Sequence, residues 1–312
     1  MNSSALLVVY VLGIYASFLT WGALQEQITS YTLSDGSQFN APFVINLFQN
    51  SLACLVGLCF VQLTCPRVQK FHLDVVKPVC LVSLTQSLSS PLGMMSTSYV
   101  GYLLYTLAKS CKLVPVMFVH KVWYKEKFPL YKYVVVGIVT VGVSLFSIGG
   151  KEMDHGEQLL IGLALLMSSL LLDGVTNATQ DVMFKNLKLD PAHLMFLLNF
   201  VSTLLTLVYC TVSGQLTYSV SVFYTDPRLI YELICYGLCG ALGQIFIFLT
   251  LHRFGSLILI TVTVTRKMMS MMLSVIVFGH RLTMMQWAAI CLVFSGVSLE
   301  AYYKSRPKVK TA

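Results

Sequence analysis

Two apolar segments of this chain carry cations near their centres: YVGYLLYTLAKSCKLVPVMFVHKV (residues 99–122) and FGSLILITVTVTRKMMSMMLSVIVF (residues 254–278). The four intramembrane cations are Lys109, Lys112, Arg266 and Lys267. A charge at the bilayer centre costs about 3 kcal/mol even on lenient insertion scales, and it is tolerated where it faces an aqueous cavity and meets an opposite charge. Four positive charges therefore predict a pathway for an anion.

The composition is that of an integral membrane protein. Of the 312 residues, 56% are hydrophobic and 11% are charged, whereas a soluble domain carries about 25% charged residues. A helix needs about 20 apolar residues to cross the hydrocarbon. We therefore predict an all-α integral membrane protein with ten transmembrane helices in the lipid bilayer. They cover residues 5–24, 42–64, 75–97, 99–122, 131–149, 158–179, 192–213, 229–251, 254–278 and 285–303.

Basic residues are distributed unevenly between the loops. With ten spans both termini lie on one side of the membrane, and that side holds 14 of the 21 Lys and Arg residues, against 3 on the other side and 4 within spans. The positive-inside rule places the richer side in the cytosol, so both termini are expected to be cytosolic. The orientation of the protein in the membrane accounts for the basic residues of the loops. We therefore expect no nucleic-acid partner.

The two halves of the chain resemble each other at a nearly constant offset. Three pairs match at an offset of 154 residues: Gly101 with Gly255, Lys112 with Arg266, and Gly142 with Gly296. We therefore predict two five-helix repeats, residues 1–155 and 156–312. Because five spans is an odd number, the second repeat must be inverted, and inverted repeats place the substrate site at their interface near the midplane. The alternative is that the cations are separate buried ion-pair residues.

Four residues of the fourth predicted span share one narrow helix face: Tyr102, Tyr105, Lys109 and Lys112. This order suits a nucleotide, with a base stacked on tyrosine and phosphates bound by lysine. The tyrosines are alternatively residues of the membrane interface. Pro115 removes a helix hydrogen bond, which either lines the cavity with freed backbone or produces a packing kink.

A matching stripe on the ninth predicted span consists of Thr263, Arg266 and Ser270. Its hydroxyls are expected to bind phosphate or ribose, or alternatively to permit close helix packing. Lys267 points about 100° away from Arg266. We expect Arg266 to face the centre of the cavity, because a guanidinium can bind phosphate through two hydrogen bonds.

Other polar residues within the spans are weaker candidates. Asp173 requires a partner, for which a cation is expected. Four amides are expected either to bind substrate or to bond another helix: Asn46, Gln86, Asn199 and Gln244. Four residues at equivalent helix ends are predicted gate residues, with solvent exposure as the alternative for the two acids: Gln25, Glu26, Gln180 and Asp181.

Motifs of catalysis are missing from the sequence, which has no HExxH, GxSxG or Walker-type loop. An intramembrane enzyme is therefore a remote alternative, and no cofactor or metal is expected. Near the C-terminus, Lys308 and Lys310 occupy the positions of a cytosolic dilysine retrieval signal of endoplasmic-reticulum proteins, although positive-inside bias alone also produces short basic tails.

Four segments resemble the nucleotide-sugar transporter family, in particular subfamily B of solute carrier family 35. They are AKSCKLVPV (residues 108–116), LDGVTNATQD (172–181), GALGQIFIF (240–248) and TVTRKMMS (263–270). The resemblance implies a drug/metabolite-transporter fold in the endoplasmic reticulum and exchange of a nucleotide-linked substrate between cytosol and lumen. Members differ in substrate, and both exchange of UDP-galactose for UMP and exchange of ATP for ADP are open here. An exporter of amphipathic cations or lipids would require an acidic or apolar site, whereas this one is basic.

Overall fold

The computed structural model describes residues 3–33, 36–64, 73–111, 113–122, 128–149, 156–186 and 191–305. Within these ranges helix is the only repeating secondary structure, and one antiparallel bridge joins Thr32 to Gln38. The predicted all-α class is therefore confirmed. The helices are α1 (Ser3–Thr29), α2 (Pro42–Thr64), α3 (Leu73–Val100), α4 (Tyr102–Ser110), α5 (Leu113–Val122), α6 (Leu130–Gly149), α7 (Gly156–Asn186), α8 (Pro191–Val212), α9 (Gln215–Thr225), α10 (Pro227–Val277) and α11 (Met284–Ser305).

Seven stretches of helix in the described ranges are long and apolar enough to cross a membrane. They are Ala5–Thr29, Pro42–Leu63, Leu130–Gly149, Gln158–Gln180, Ala192–Val212, Pro227–Leu251 and Met284–Tyr303. The pair α4 and α5, bent by 48° at its break, raises the number to eight if it forms one span. The protein is thus a multi-pass membrane protein.

The predicted fourth span is divided in the structure. Helix α3 continues to Val100, and Gly101, with a φ of 78°, turns the chain into α4. Helix α4 ends at Ser110, and α5 begins at Leu113. A side chain at Gly101 would be strained in this left-handed conformation, so glycine suits the turn.

Helix α10 contains both the eighth and the ninth predicted spans in 51 continuous helical residues. A Cβ added at Gly243 would lie 2.6 Å from the ring of Phe18, and the Arg266 guanidinium lies 4.4 Å from the centroid of the same ring. A straight helix would separate these two positions by about 34 Å. Helix α10 therefore folds back between them into a first arm (Pro227–Leu251) and a second arm (residues 254–277).

Each long helix packs along a partner from the other half of the chain. Helix α1 packs against α10, α2 against α8, α3 against α7, and α6 against α11. At the last interface a Cβ added at Gly142 would lie 2.5 Å from Val293 Cγ2, and one at Gly296 would lie 2.9 Å from Val139 Cγ2. Absent side chains at these glycines let the two helices approach closely.

The short helix α9 was not among the predicted elements. It begins after Gly214, whose φ of 72° turns the chain out of α8, and ends before Asp226. Its buried Val222 packs in a cluster with α2 and the first arm of α10, together with Leu229 and Leu233. Eleven residues cannot cross a bilayer, so α9 lengthens the connection between two spans.

Candidate substrate-binding cavity

A cavity of about 290 Å³ lies between α1, α2, α3, α4, α7 and the second arm of α10. Its lining brings together ten of the residues singled out from the sequence. They are Gln25, Asn46, Gln86, Tyr102, Tyr105, Lys109, Asp173, Arg266, Lys267 and Ser270. Side chains that are separated by up to 245 positions in the chain thus share one cavity.

Lys109 is held by a network of protein groups. Its Nζ lies 2.6 Å from Asp173 Oδ2 and also donates to Ser169 Oγ at 2.8 Å and Ser89 Oγ at 3.3 Å. The Ser89 hydroxyl donates in turn to Asp173. Asp173 therefore has a cationic partner, and the charge of Lys109 is already balanced across the α4–α7 interface.

Arg266 has different surroundings. Its guanidinium lies over the ring of Phe18, while its buried Nε has no hydrogen-bond partner among the described residues. The Oγ of Ser270, one turn further along the second arm, is also buried and unpaired within that part of the chain. Buried donors without partners are costly in a protein that binds nothing there, so these atoms point to a ligand with acceptor groups.

Lys267 also lines the cavity, and its Nζ donates to the backbone carbonyl of Lys109 at 3.4 Å. Both neighbouring cations of the second arm thus face the same space, whereas the sequence favoured Arg266 alone at its centre. The lysine links the second arm to the C-terminal end of α4. Together with Lys109, the described lining contains three cations and one carboxylate, that of Asp173.

The two tyrosines of α4 lie in the cavity wall. Tyr102 donates its hydroxyl to the carbonyl of Gly22 at 2.9 Å, and the Tyr105 hydroxyl accepts from Gln25 Nε2 at 3.2 Å. The Lys109 ammonium lies 5.8 Å from the centroid of the Tyr105 ring. These contacts tie α4 to α1 and leave the ring surfaces as part of the lining.

Several predicted residues lie outside the cavity lining. Thr263 donates to the carbonyl of Leu259 at 2.6 Å, and Asn199 donates to the carbonyl of Met195 at 2.7 Å, so both bond their own helix. Gln244 and Gln180 are half-buried elsewhere. Pro115 packs closely against α7, since its carbonyl oxygen would lie 2.8 Å from a Cβ added at Gly174.

Some predictions fall where the structure gives no description. Lys112, Lys308 and Lys310 lie outside the described residues. The backbone of Asp181 belongs to α7, but its side chain is outside the described part. The roles assigned to these four residues remain predictions.

Glu26 lies at the end of α1 and is buried rather than exposed to solvent. Its Oε2 accepts from Ser274 Oγ at 2.5 Å, and its Oε1 lies 2.6 Å from His280 Nε2. The partners of this predicted gate acid are thus a serine and a histidine. The contact joins α1 to the end of the second arm of α10.

Other lining residues were not singled out from the sequence. They are Phe18, Trp21, Gly22, Gln49, Asn50, Ser90, Thr106 and Ser110. Gln49 and Asn50 follow Asn46 at helical spacings of three and four, and this amide stripe was the available signal. The aromatic residues of α1 gave none, because their spacing is equally typical of ordinary helix packing.

The cavity combines cations, amides and aromatic rings. Unpaired donors at Arg266 and Ser270 suit the oxygens of a phosphate. Neutral amides and flat rings suit the uncharged parts of the same ligand. The arrangement suits an organic phosphate as ligand.

Comparison with known proteins identifies the relatives of this chain. The profile of the UAA transporter family matches residues 6–304. A Yarrowia lipolytica protein is 45% identical over 96% of this chain and 87% of its own length. Proteins of Saccharomyces cerevisiae and Candida albicans are 41% and 40% identical, covering 100% and 97% of this chain and 99% and 90% of theirs. All three are named UDP-galactose transporter homolog 1.

A solved crystal structure shares the fold. It superposes with a TM-score of 0.55 over 97% of this chain and 99% of its own, at 11% sequence identity. At this level of identity the likeness concerns architecture alone. The profile match and the relatives decide the family: this chain belongs to the UAA transporter family, and it is a membrane transporter rather than an enzyme.

Proposed function

We propose that this protein is a nucleotide-sugar antiporter of the endoplasmic-reticulum membrane, which exchanges UDP-galactose for UMP by alternating access. The observation that carries the proposal is the cavity wall around Arg266, where a buried guanidinium nitrogen and a serine hydroxyl lack partners within the described chain. A diphosphate offers the acceptors that these donors need. The names of the fungal relatives support galactose as the sugar.

The charge of the lining supports a UDP-sugar. Three cations and one carboxylate in the described lining leave two net positive charges, with Lys112 uncounted. A UDP-sugar carries roughly two negative charges at neutral pH and ATP nearly four. The described lining therefore matches the charge of a UDP-sugar, since an unmatched charge is costly to remove from water. Lys112, which the proposed mechanism places on the phosphates, raises the sum to three, between the two substrates, so the names of the relatives are the main support for the UDP-sugar.

The proposal includes ten spans in two inverted repeats, residues 1–155 and 156–312. Adding α3 and the second arm of α10 to the seven apolar stretches and the bent pair gives ten. Gly142 contacts Val293, and Gly296 contacts Val139. Each residue of the second half lies 154 positions after its equivalent in the first half, so the two contacts are equivalent with the halves interchanged. A two-fold relation between the halves accounts for this exchange.

Alternating access requires gates on both sides of the cavity. We assign Glu26 to the lumenal gate, because it joins α1 to Ser274 and His280 beyond the cavity and the positive-inside rule places this end in the lumen. Asp181 is its proposed cytosolic counterpart. Substrate phosphates bridging Lys112 and Arg266 would draw the halves together, and the empty carrier, with like charges facing each other, would cross poorly. Exchange follows.

The endoplasmic reticulum is proposed as the location. The support is the dilysine pattern at Lys308 and Lys310 together with the cytosolic orientation that the basic loops favour. In that compartment the imported sugar nucleotide would supply lumenal glycosylation and protein folding.

Counterflow in proteoliposomes tests the proposed exchange. Vesicles with purified full-length protein are loaded with UMP, UDP-galactose, ADP or ATP and challenged with labelled UDP-galactose or labelled ATP. We expect uptake of UDP-galactose that depends on internal UMP. Uptake of ATP that depends on internal ADP, without uptake of UDP-galactose, would make the protein an energy supplier to the lumen and overturn the proposal.

A further inference from the structure

One wall of the cavity is uncharged and rich in amides. Asn46, Gln49 and Asn50 project from one face of α2, at spacings of three and four residues, and all three line the cavity. Gln86 of α3 joins them. This amide wall is chemically distinct from the cationic wall around Arg266, so the two walls suit different parts of one ligand.

Protein contacts decide which atom each amide offers to a ligand. Asn46 uses its Nδ2 to donate to the carbonyl of Ser87 at 3.4 Å, so its carbonyl oxygen is left as an acceptor. The Oε1 of Gln49 accepts from the Tyr236 hydroxyl at 2.7 Å, so its NH2 group is left as a donor. Asn50 is 2% exposed, and its Nδ2 is a donor with no partner in the described ranges.

A flat aromatic surface lies beside this wall. Trp21 lines the cavity and stacks on Tyr236, with ring centroids 5.3 Å apart and an angle of 18° between the planes. Tyr236 is fully buried and also fixes Gln49. One buried tyrosine thus positions both an aromatic ring and an amide, as a planar ligand that stacks and forms in-plane hydrogen bonds would require.

We propose that the amide wall binds the nucleobase and selects a pyrimidine over a purine, an inference that rests on the proposed nucleotide antiport. Asn50 and Gln49 supply two donors and Asn46 supplies one acceptor. The pairing edges of uracil and cytosine each present two acceptors and one donor. Guanine presents one acceptor and two donors, and adenine one of each, so a purine leaves a donor of the wall unpaired.

Binding of nucleoside monophosphates to the purified full-length protein in nanodiscs tests the inference. Asn50→Asp replaces a donor with an acceptor at nearly the same volume. The added carboxylate repels both monophosphates alike, so the measured quantity is the ratio of their affinities, and we expect the affinity for UMP to fall about tenfold or more relative to that for AMP. Tyr236→Phe, which releases Gln49, is expected to lower the UMP-over-AMP preference about threefold and provides a second variant if Asn50→Asp does not fold.

Asn199→Asp is the matched control, because Asn199 is a buried amide of α8 that bonds the carbonyl of Met195 outside the cavity lining. It should keep the wild-type preference for UMP. A wild-type protein that binds AMP as tightly as UMP would overturn the inference while leaving a nucleotide antiporter intact. Folded protein that binds no nucleotide would instead overturn the proposed function.

A sugar subsite predicts a different result for the same variants. If the amides bound the hexose, Asn50→Asp would weaken UDP-galactose binding and leave UMP binding unchanged, since UMP has no hexose. That outcome would overturn the base assignment. We expect UMP and UDP-galactose to lose affinity by the same factor.

Discussion

Lys109 and Arg266 line the same cavity from opposite halves of the chain, but the protein treats their charges differently. Lys109 has a carboxylate at 2.6 Å and two serine hydroxyls around its ammonium. Arg266 has the face of Phe18 and an unpaired Nε, with no salt-bridge partner among the described residues. One cation is balanced within the protein and the other is available to a ligand.

This difference shows that a cation within a span has two separate uses. Lys109 with Asp173 fastens α4 to α7, at the cost of removing both charges from water. In the proposed function, Arg266 keeps its unpaired Nε for a ligand that enters and leaves. The comparison therefore predicts that substitutions at the two cations will have different effects, on stability at Lys109 and on exchange at Arg266.

The largest expected effect concerns Arg266. Arg266→Met keeps the apolar length of the side chain and removes its charge and donors, so we expect UDP-galactose counterflow to fall about 100-fold or more. Arg266→Lys keeps the charge without the planar pair of donors and should retain an intermediate rate. Initial rates of counterflow in proteoliposomes provide the measurement.

Arg253→Met is the matched control for this prediction. It removes a positive charge from α10 at an exposed position outside the cavity lining, and we expect its counterflow to stay within about twofold of wild type. If Arg266→Met showed the wild-type rate of UDP-galactose counterflow, the proposed difference in role between Arg266 and Lys109 would be wrong.

The Lys109–Asp173 pair should affect mainly stability. Asp173→Asn leaves a partly buried ammonium without its counterion, and we expect a loss of about 1–3 kcal/mol after allowing for the partial exposure of both side chains. The double variant Lys109→Met/Asp173→Asn should recover much of this loss, because no uncompensated charge remains, and the single variant Lys109→Met completes the cycle. Thermal unfolding of the four proteins of this cycle in one detergent gives the coupling. Strictly additive effects would show that the pair contributes no more than two independent residues.

The smallest expected effect concerns the α6–α11 interface, where the two halves make equivalent contacts. Gly142→Ala and Gly296→Ala each add a methyl group against a valine of the facing helix, so both should lower stability by about 1–2 kcal/mol. The loss should be larger at Gly142, where the added Cβ would lie 2.5 Å from Val293 rather than 2.9 Å from Val139. Gly137→Ala, on α6 with open space around the added Cβ, is the control. A larger loss of stability for Gly296→Ala than for Gly142→Ala would contradict the described packing of α6 against α11.

The sequence predicted the membrane class, the helical fold and most of the polar cavity lining. Charges inside apolar segments are conspicuous, and burying them is so costly that Lys109, Arg266 and Asp173 must meet other groups. The family resemblance was confirmed by the profile match and the fungal relatives.

Other parts of the site could not be predicted because they depend on rotation and local bonding. Thr263 shares a helical stripe with Arg266, but its hydroxyl donates to the carbonyl four residues earlier in the same helix. Sequence spacing alone does not reveal such a bond within the helix. Asn46 and Asn199 occupy matching places at the starts of α2 and α8, yet the cavity is lined by Asn46 and not by Asn199. Phe18 and Trp21 resemble any packing residues until α10 is seen to fold back against α1.

The ion pair of Lys109 has a consequence for how the chain is made. Asp173 follows Lys109 by 64 residues, which at about 5–20 residues per second means a delay of roughly 3–13 s during synthesis. For that interval α4 carries an ammonium that its permanent counterion has not yet reached, at a cost of about 3 kcal/mol in the hydrocarbon. We therefore expect the packing of α4 to be completed only when α7 is delivered, so that biogenesis of the first half depends on the beginning of the second.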